Sequence, residues 1–211
     1  MGTGGDQGAG GGELSPGSRV GILGGTFDPV HVGHLVAATW ARDALALDRV
    51  LLVVANDPWQ KSARRRLTAA EDRLAVVAAA VEGVAGLEAS RMEIDRGGPS
   101  YTIDTVRALI DLEPTTCLHL LVGADVASEL DTWHDAATLA SLIRLVVVDR
   151  AGVAPTPDPP GWRVDHLRIP AIDVSSSELR DRLAAGSSVD FLIPTPAIRC
   201  ISRLGLYAGG R

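Results

Sequence analysis

His31 and His34, three residues apart, follow a glycine-rich turn in the segment GGTFDPVHVGHL, residues 24–35. The residues before it, Val20-Gly21-Ile22-Leu23, have the apolar character of a buried strand. Those after it, Leu35 to Ala41, have the pattern of an apolar-faced helix. Strand, tight glycine turn, histidine pair and helix make a place to hold phosphate. Gly24 and Gly25 let the backbone approach an anion closely. The helix start supplies free N–H groups and the positive end of its dipole. Imidazoles at i and i+3 can point the same way from the first turn. A glycine turn alone often serves packing, and a single histidine is more often a surface or packed residue. The conjunction is what points to phosphate chemistry. Asp28, before Pro29, reads as a turn carboxylate that accepts backbone N–H bonds, with no catalytic part.

Such a turn needs a sheet behind it. Runs rich in Val, Leu and Ile alternate with helical patterns, which predicts an α/β, Rossmann-like, doubly wound parallel sheet with helices on both faces. Strands are expected at 19–24, 49–55, 88–94, 116–122 and 144–149, with a short one at 162–169. Helices are expected at 33–46, 69–82, 102–111 and 135–141. Thr68-Ala69-Ala70-Glu71 has capping-box spacing, and Gly83 and Gly86 close that helix. After Arg150 comes a proline-rich connector, 151–161. Ser175-Ser176-Ser177-Glu178 then opens a further helix, and a last one runs from about Pro196 to Arg203. Residues 1–18 are glycine-rich and read as a disordered start, leaving 19–208 as one domain with a C-terminal helical part at about 170–208.

Composition narrows the function further. An apolar fraction of 46% can build a proper core, and no apolar run approaches a membrane span. The first residues lack the features of a signal or transit peptide, so a cytoplasmic enzyme is expected. A net charge of −6 argues against a general nucleic-acid binder. Cys117 and Cys200 lie in apolar surroundings without metal or redox spacing, and buried thiols are expected. The 20 basic residues include a single lysine, Lys61. A dehydrogenase is disfavoured, because no GxGxxG is followed by an acidic residue at the usual distance.

TFDP followed by HxGH at the end of a first strand resembles the HxGH nucleotidyltransferases. Over roughly 19–208 the chain is similar to the bacterial nicotinate-nucleotide adenylyltransferases. That resemblance places ATP against Gly24, Gly25, Thr26, Phe27, His31 and His34. Asn56-Asp57-Pro58-Trp59-Gln60-Lys61 is similar to the family's pyridine-nucleotide loop, although Gln60 stands where histidine is common. Asn56, Trp59 and Lys61 are the candidates there, and Lys61 reads equally as a solvated loop residue. Tyr101 and Thr102 open a helix whose N–H groups the family sets against the pyridine carboxylate. Gly123 and Asp125 are expected to contact adenosine, and Trp133 to stack on the pyridine ring. Ser175 to Arg180 resembles the family's ISSTxxR motif, with Ser177 where Thr is commoner. Ser176, Ser177 and Arg180 would then bind the β- and γ-phosphates.

The reaction so implied joins nicotinate mononucleotide to the adenylyl group of ATP. It gives deamido-NAD and pyrophosphate, a step of NAD biosynthesis. His31, His34 and Arg180 are the expected catalytic residues. Mg2+ would accompany ATP, and no carboxylate cluster suggests a dedicated metal cage. Expected partners are the two small substrates, without nucleic acid or membrane, and a homo-oligomer stays open. Phosphopantetheine adenylyltransferases usually carry Thr at the position of His31. A nicotinamide preference and a non-catalytic nucleotide binder are the remaining rivals.

Overall fold

Side chains alternate sides along each central strand, and both sides are apolar. Val20 and Ile22 of β1 (Arg19–Gly25) face one cluster, as do Leu51 and Val53 of β2 (Arg49–Val54) and Leu118, Leu120 and Val122 of β4 (Cys117–Gly123). Val50, Leu52 and Val54 of β2 and Leu121 of β4 face the other. A strand buried on both faces belongs inside a parallel sheet covered by helices. The computed structural model, which describes residues 17–58, 67–150 and 157–209, has that form. Six parallel strands lie in the order β3-β2-β1-β4-β5-β6, with β3 at Leu87–Ser90, β5 at Arg144–Arg150 and β6 at Val164–Ile169. The order reverses between β1 and β4, so their connections leave toward opposite sides. A crevice opens at their carboxyl ends.

Helices α1 (Val32–Ala44), α2 (Ala70–Val81), α7 (Ser176–Ala184) and α8 (Thr195–Leu204) supply the first cluster's cover. Helices α4 (Thr102–Leu112) and α6 (Ala136–Leu142) cover the second. The buried positions of α2 are Arg73, Val76, Val77, Ala80 and Val81, an i, i+3, i+4 stripe that begins on a charged residue. The buried apolar positions of α4, Ile103, Val106 and Leu109, recur every third residue, with Thr105 buried beside them. Short helices α3 (Met92–Arg96) and α5 (Ala124–Ala127) and a 3-10 turn (Leu130–Thr132) lie in the connections.

Several expectations change. The strand expected at 88–94 ends at Ser90, and Met92 to Arg96 coil into α3. Its apolar residues are too few and too close to Gly97 and Gly98, both at positive φ, to extend further. The N-cap of α2 is Ala69 with no side-chain cap, so Thr68 does not form the expected capping box. The Thr68 carbonyl instead accepts from Arg73 Nε at 2.8 Å. Gly83 and Gly86 do close that helix, at φ 74 and 73. Cys200 is buried, but Cys117 is exposed, because it opens β4 at the end of the sheet remote from the crevice. Among the described residues, no helix is long and apolar enough to cross a membrane.

Candidate active site

A cleft of about 1060 Å³ opens at the carboxyl ends of β1, β4, β5 and β6. Of the candidates read from the sequence, Gly24, Gly25, Thr26, Phe27, His31 and His34 line its floor. Tyr101, Thr102, Gly123, Asp125 and Trp133 line one wall, and Ser176, Ser177 and Arg180 line another. Four distant segments thus converge on one cavity. Asn56 is not among the lining residues. Its N–H donates to Ser100 Oγ at 2.9 Å and its Nδ2 to the Gly98 carbonyl at 3.0 Å, which fastens the β2 loop to the α3–α4 loop. Trp59 and Lys61 lie outside the described residues.

The phosphate turn is held by local geometry. Phe27 is 2% exposed and sits at φ 47, a left-handed conformation costly for an aromatic residue. A Cβ on Gly25 would stand 3.0–3.3 Å from the Phe27 ring, so only glycine leaves that ring in place. The Asp28–Pro29 peptide is cis. His31 is the N-cap of α1, and its backbone N–H donates to His34 Nδ1 at 3.2 Å. An accepting Nδ1 in a neutral imidazole puts the ring proton on Nε2. His34 therefore has Nε2–H as its donor for a ligand. The rings of His31 and His34 stack with centroids 3.7 Å apart, and Phe27 meets His34 edge-on at 5.0 Å.

Ser175 caps α7, its hydroxyl accepting from the Glu178 N–H at 3.2 Å. The first-turn amides of Ser176 and Ser177 have no partner within the helix and suit an anion. The two hydroxyls are occupied differently from expectation. Ser176 Oγ donates to the Pro29 carbonyl at 2.9 Å, and Ser177 Oγ accepts from Arg180 Nη2 at 2.9 Å. Arg180 Nη1 donates to the Asp28 carbonyl at 2.6 Å. Helix α7 is thereby clamped to the turn that follows β1.

A Cβ on Gly123 would meet Asp125 Oδ1 at 2.6 Å, so a side chain there would require the Asp125 carboxylate to swing aside. Trp133 follows the 3-10 turn, half-buried against the cluster that includes the β4 side chains.

Asp28 underlies this site, and three residues not singled out from the sequence line it. Asp28 is 1% exposed, and its carboxylate accepts the Tyr207 hydroxyl at 2.6 Å. The expected backbone-bonding role missed this partner, 179 positions away and invisible to local patterns. His134 stacks on Tyr101 with centroids 4.5 Å apart, beside the α4 start. Glu93, 7% exposed on α3, reaches the cleft and accepts the Thr105 hydroxyl at 2.8 Å. The expected strand at 88–94 had hidden it. Asp149, also 7% exposed, lines the cleft from β5. Its place at the end of an apolar run was the available signal.

A parallel sheet in this order, with an HxGH helix start beside a serine-capped helix at the carboxyl ends of the strands, defines a nucleotidyltransferase. Residues 22–182 match the cytidylyltransferase-like family, and the chain belongs to it, among the nicotinate-nucleotide adenylyltransferases. It is 43% identical to a probable nicotinate-nucleotide adenylyltransferase of Streptomyces coelicolor, over 89% of this chain and 100% of that one. A relative of the same description from Corynebacterium kroppenstedtii is 40% identical, over 90% of each chain. The fold also matches Plasmodium falciparum nicotinic acid mononucleotide adenylyltransferase complexed with NaAD. The TM-score is 0.73 at 17% identity, over 90% of this chain and 97% of that one.

Proposed function

We propose that His34, His31 and Arg180 serve adenylyl transfer in this cleft. The enzyme moves the adenylyl group of ATP onto nicotinate mononucleotide. A phosphate oxygen of the acceptor forms a bond to the α-phosphorus of ATP. The bond from that phosphorus to the bridging oxygen breaks, and its electron pair leaves with pyrophosphate. Deamido-NAD is the other product. The acceptor phosphate already carries its negative charge near neutral pH, where such groups have a second pKa of about 6. It needs no general base, so positioning and charge stabilisation remain the work of the protein.

His34 Nε2–H donates to the α-phosphate, where charge builds as the new bond forms. His31, stacked against it, orients the phosphates from the N-cap of α1. The first-turn amides of α7 and the Arg180 fork receive the leaving pyrophosphate. Gly24, Gly25, Thr26 and Phe27 bring backbone against the nucleotide, with Gly123 and Asp125 on its adenosine side. Trp133 covers the pyridine ring, and the α4 start at Tyr101 and Thr102 meets its carboxylate. Asn56, Trp59 and Lys61 are assigned to the acceptor, and Asn56 anchors the start of its loop to Ser100. Mg2+ enters with ATP as part of the substrate, carried by phosphate oxygens and water. Among the described residues no cluster of three or more His, Cys, Asp or Glu could cage it.

The observation that supports this reading is the convergence of the histidine pair, Trp133 and Arg180 on one cleft at the switch point. Pyrophosphate release from ATP and Mg2+ tests it, with nicotinate mononucleotide, nicotinamide mononucleotide and phosphopantetheine as parallel acceptors. Clear preference for the first is expected. Preference for another acceptor overturns the substrate assignment, and silence with all three from folded, ATP-binding protein overturns the catalytic one.

A further inference from the structure

Arg73 is 1% exposed, the largest of the fully buried side chains. It opens the buried stripe of α2, where a leucine or methionine would satisfy packing alone. A buried cation is costly unless it is hydrogen-bonded, so its position calls for a specific return. Its guanidinium passes beneath the ends of β1 and β2. Nη1 donates to the Thr26 carbonyl at 2.7 Å and Nη2 to the Ala55 carbonyl at 2.7 Å. Nε donates to the Thr68 carbonyl at 2.8 Å, closing the fork on its own helix start. Thr26 lies in the phosphate turn, and Ala55 begins the loop read as the pyridine-nucleotide loop.

The C=O and N–H of a trans peptide point in opposite directions. Drawing the Thr26 carbonyl onto Arg73 turns the Phe27 N–H the other way, toward the cleft that both residues line. Drawing the Ala55 carbonyl onto Arg73 turns the Asn56 N–H outward, where it meets Ser100 Oγ at 2.9 Å. Phe27 does not hold its conformation by preference, because φ 47 disfavours it, so outside constraints must hold it.

We propose that Arg73 is a positioning residue for the nucleotide. Its fork sets the Thr26–Phe27 peptide so that the Phe27 N–H faces the ATP phosphates, and it ties that peptide to Ala55 so that both loops keep one register. The inference rests on reading the cleft as the ATP site. A lysine carries the same charge but lacks the planar fork that spans the carbonyls of Thr68, Thr26, Ala55 and Asn56.

Arg73→Lys, checked for folding by circular dichroism, tests this through binding of Mg-ATP against binding of adenosine. ATP affinity is expected to fall about tenfold or more, the scale of one hydrogen bond to a charged group. Adenosine affinity is expected to hold within about twofold, since its contacts lie on the Gly123 side and the effect on them is far below one such bond. Equal weakening of both, or of neither, overturns the proposal. The wild-type enzyme gives an independent reading should the variant not fold. On titration with Mg-ATP, the Phe27 amide resonance is expected among the most strongly shifted, and an unmoved Phe27 resonance overturns the proposal. If that resonance moves while no acceptor is adenylylated, the catalytic reading falls and the role of Arg73 stands.

Discussion

The Tyr207 hydroxyl donates to Asp28 Oδ1 at 2.6 Å, fastening the end of the described chain to the buried turn beneath the phosphate site. The same turn offers its Asp28 carbonyl to Arg180 and its Pro29 carbonyl to Ser176. One side of the turn is therefore held by the chain terminus and the other by α7. Burial and the bond to Asp28 both push the Tyr207 phenol above its ordinary pKa.

Tyr207→Phe removes that donor and leaves a buried carboxylate short of a partner. A loss of about 1–3 kcal/mol in unfolding free energy is expected near neutral pH, read by denaturant titration. The pH dependence has a definite sign. A phenol with a raised folded pKa stabilises the fold fully below the unfolded value of about 10, and that contribution is lost as pH rises toward the folded value. Wild-type stability should thus fall more steeply above pH of about 10 than that of Tyr207→Phe. Parallel curves would show that the bond contributes nothing.

His34→Ala removes the Nε2–H donor assigned to the α-phosphate. A turnover loss of about 10²–10³-fold is expected, the scale seen when one preorganised donor is removed. The measurement is kcat at saturating ATP and nicotinate mononucleotide, beside a circular dichroism spectrum to show that α1 survives losing its N-cap partner. Near-normal turnover from folded protein would remove His34 from the reaction.

Trp133→Ala should act on one substrate. Stacking beyond simple burial contributes about 0.5–1.5 kcal/mol, and the lost area adds to it, so KM for nicotinate mononucleotide is expected to rise about tenfold. KM for ATP should stay within about twofold, because the ring is assigned to the pyridine and the change lies well below one stacking contact. An equal rise in both would make Trp133 a packing residue of the Tyr101 wall.

Strand positions and most of the cleft residues were legible because they depend on short-range patterns. Alternation in β1, β2 and β4, the glycine turn before His31 and the serine cap at Ser175 each announce themselves within a few residues. What escaped depends on partners far away in sequence. Arg73 looks like an ordinary helix arginine until the carbonyls of Thr26 and Ala55 are seen around it. Asp28 looks like a turn residue until Tyr207 arrives from the other end. Glu93 was masked by a short apolar run that reads as a strand, although four residues complete β3 and the chain turns helical beyond it. The bonds of Asn56 to Ser100 and Gly98 likewise join segments more than 40 residues apart, beyond the reach of local patterns.

His166 on β6 gives the clearest titration near physiological pH. Its Nδ1 lies 2.7 Å from Asp149 Oδ2 and its Nε2 2.8 Å from Asp158 Oδ1. Two accepting carboxylates require both ring nitrogens to donate, which only the imidazolium does. The Asp158 bond first, and the Asp149 bond next, raise its pKa against a smaller opposing effect of burial. A histidine with a raised folded pKa stabilises the fold fully below the unfolded value of about 6.5, and this is lost as pH rises through the folded value. Wild-type stability should therefore decline as pH climbs from about 6.5, while His166→Gln should be flatter over the same window. Solvent screening at this half-exposed site keeps the effect modest. Denaturant midpoints for both proteins across that range decide the matter. A wild-type curve no steeper than that of His166→Gln would show that the imidazolium does not hold β6 to Asp149 and the connector.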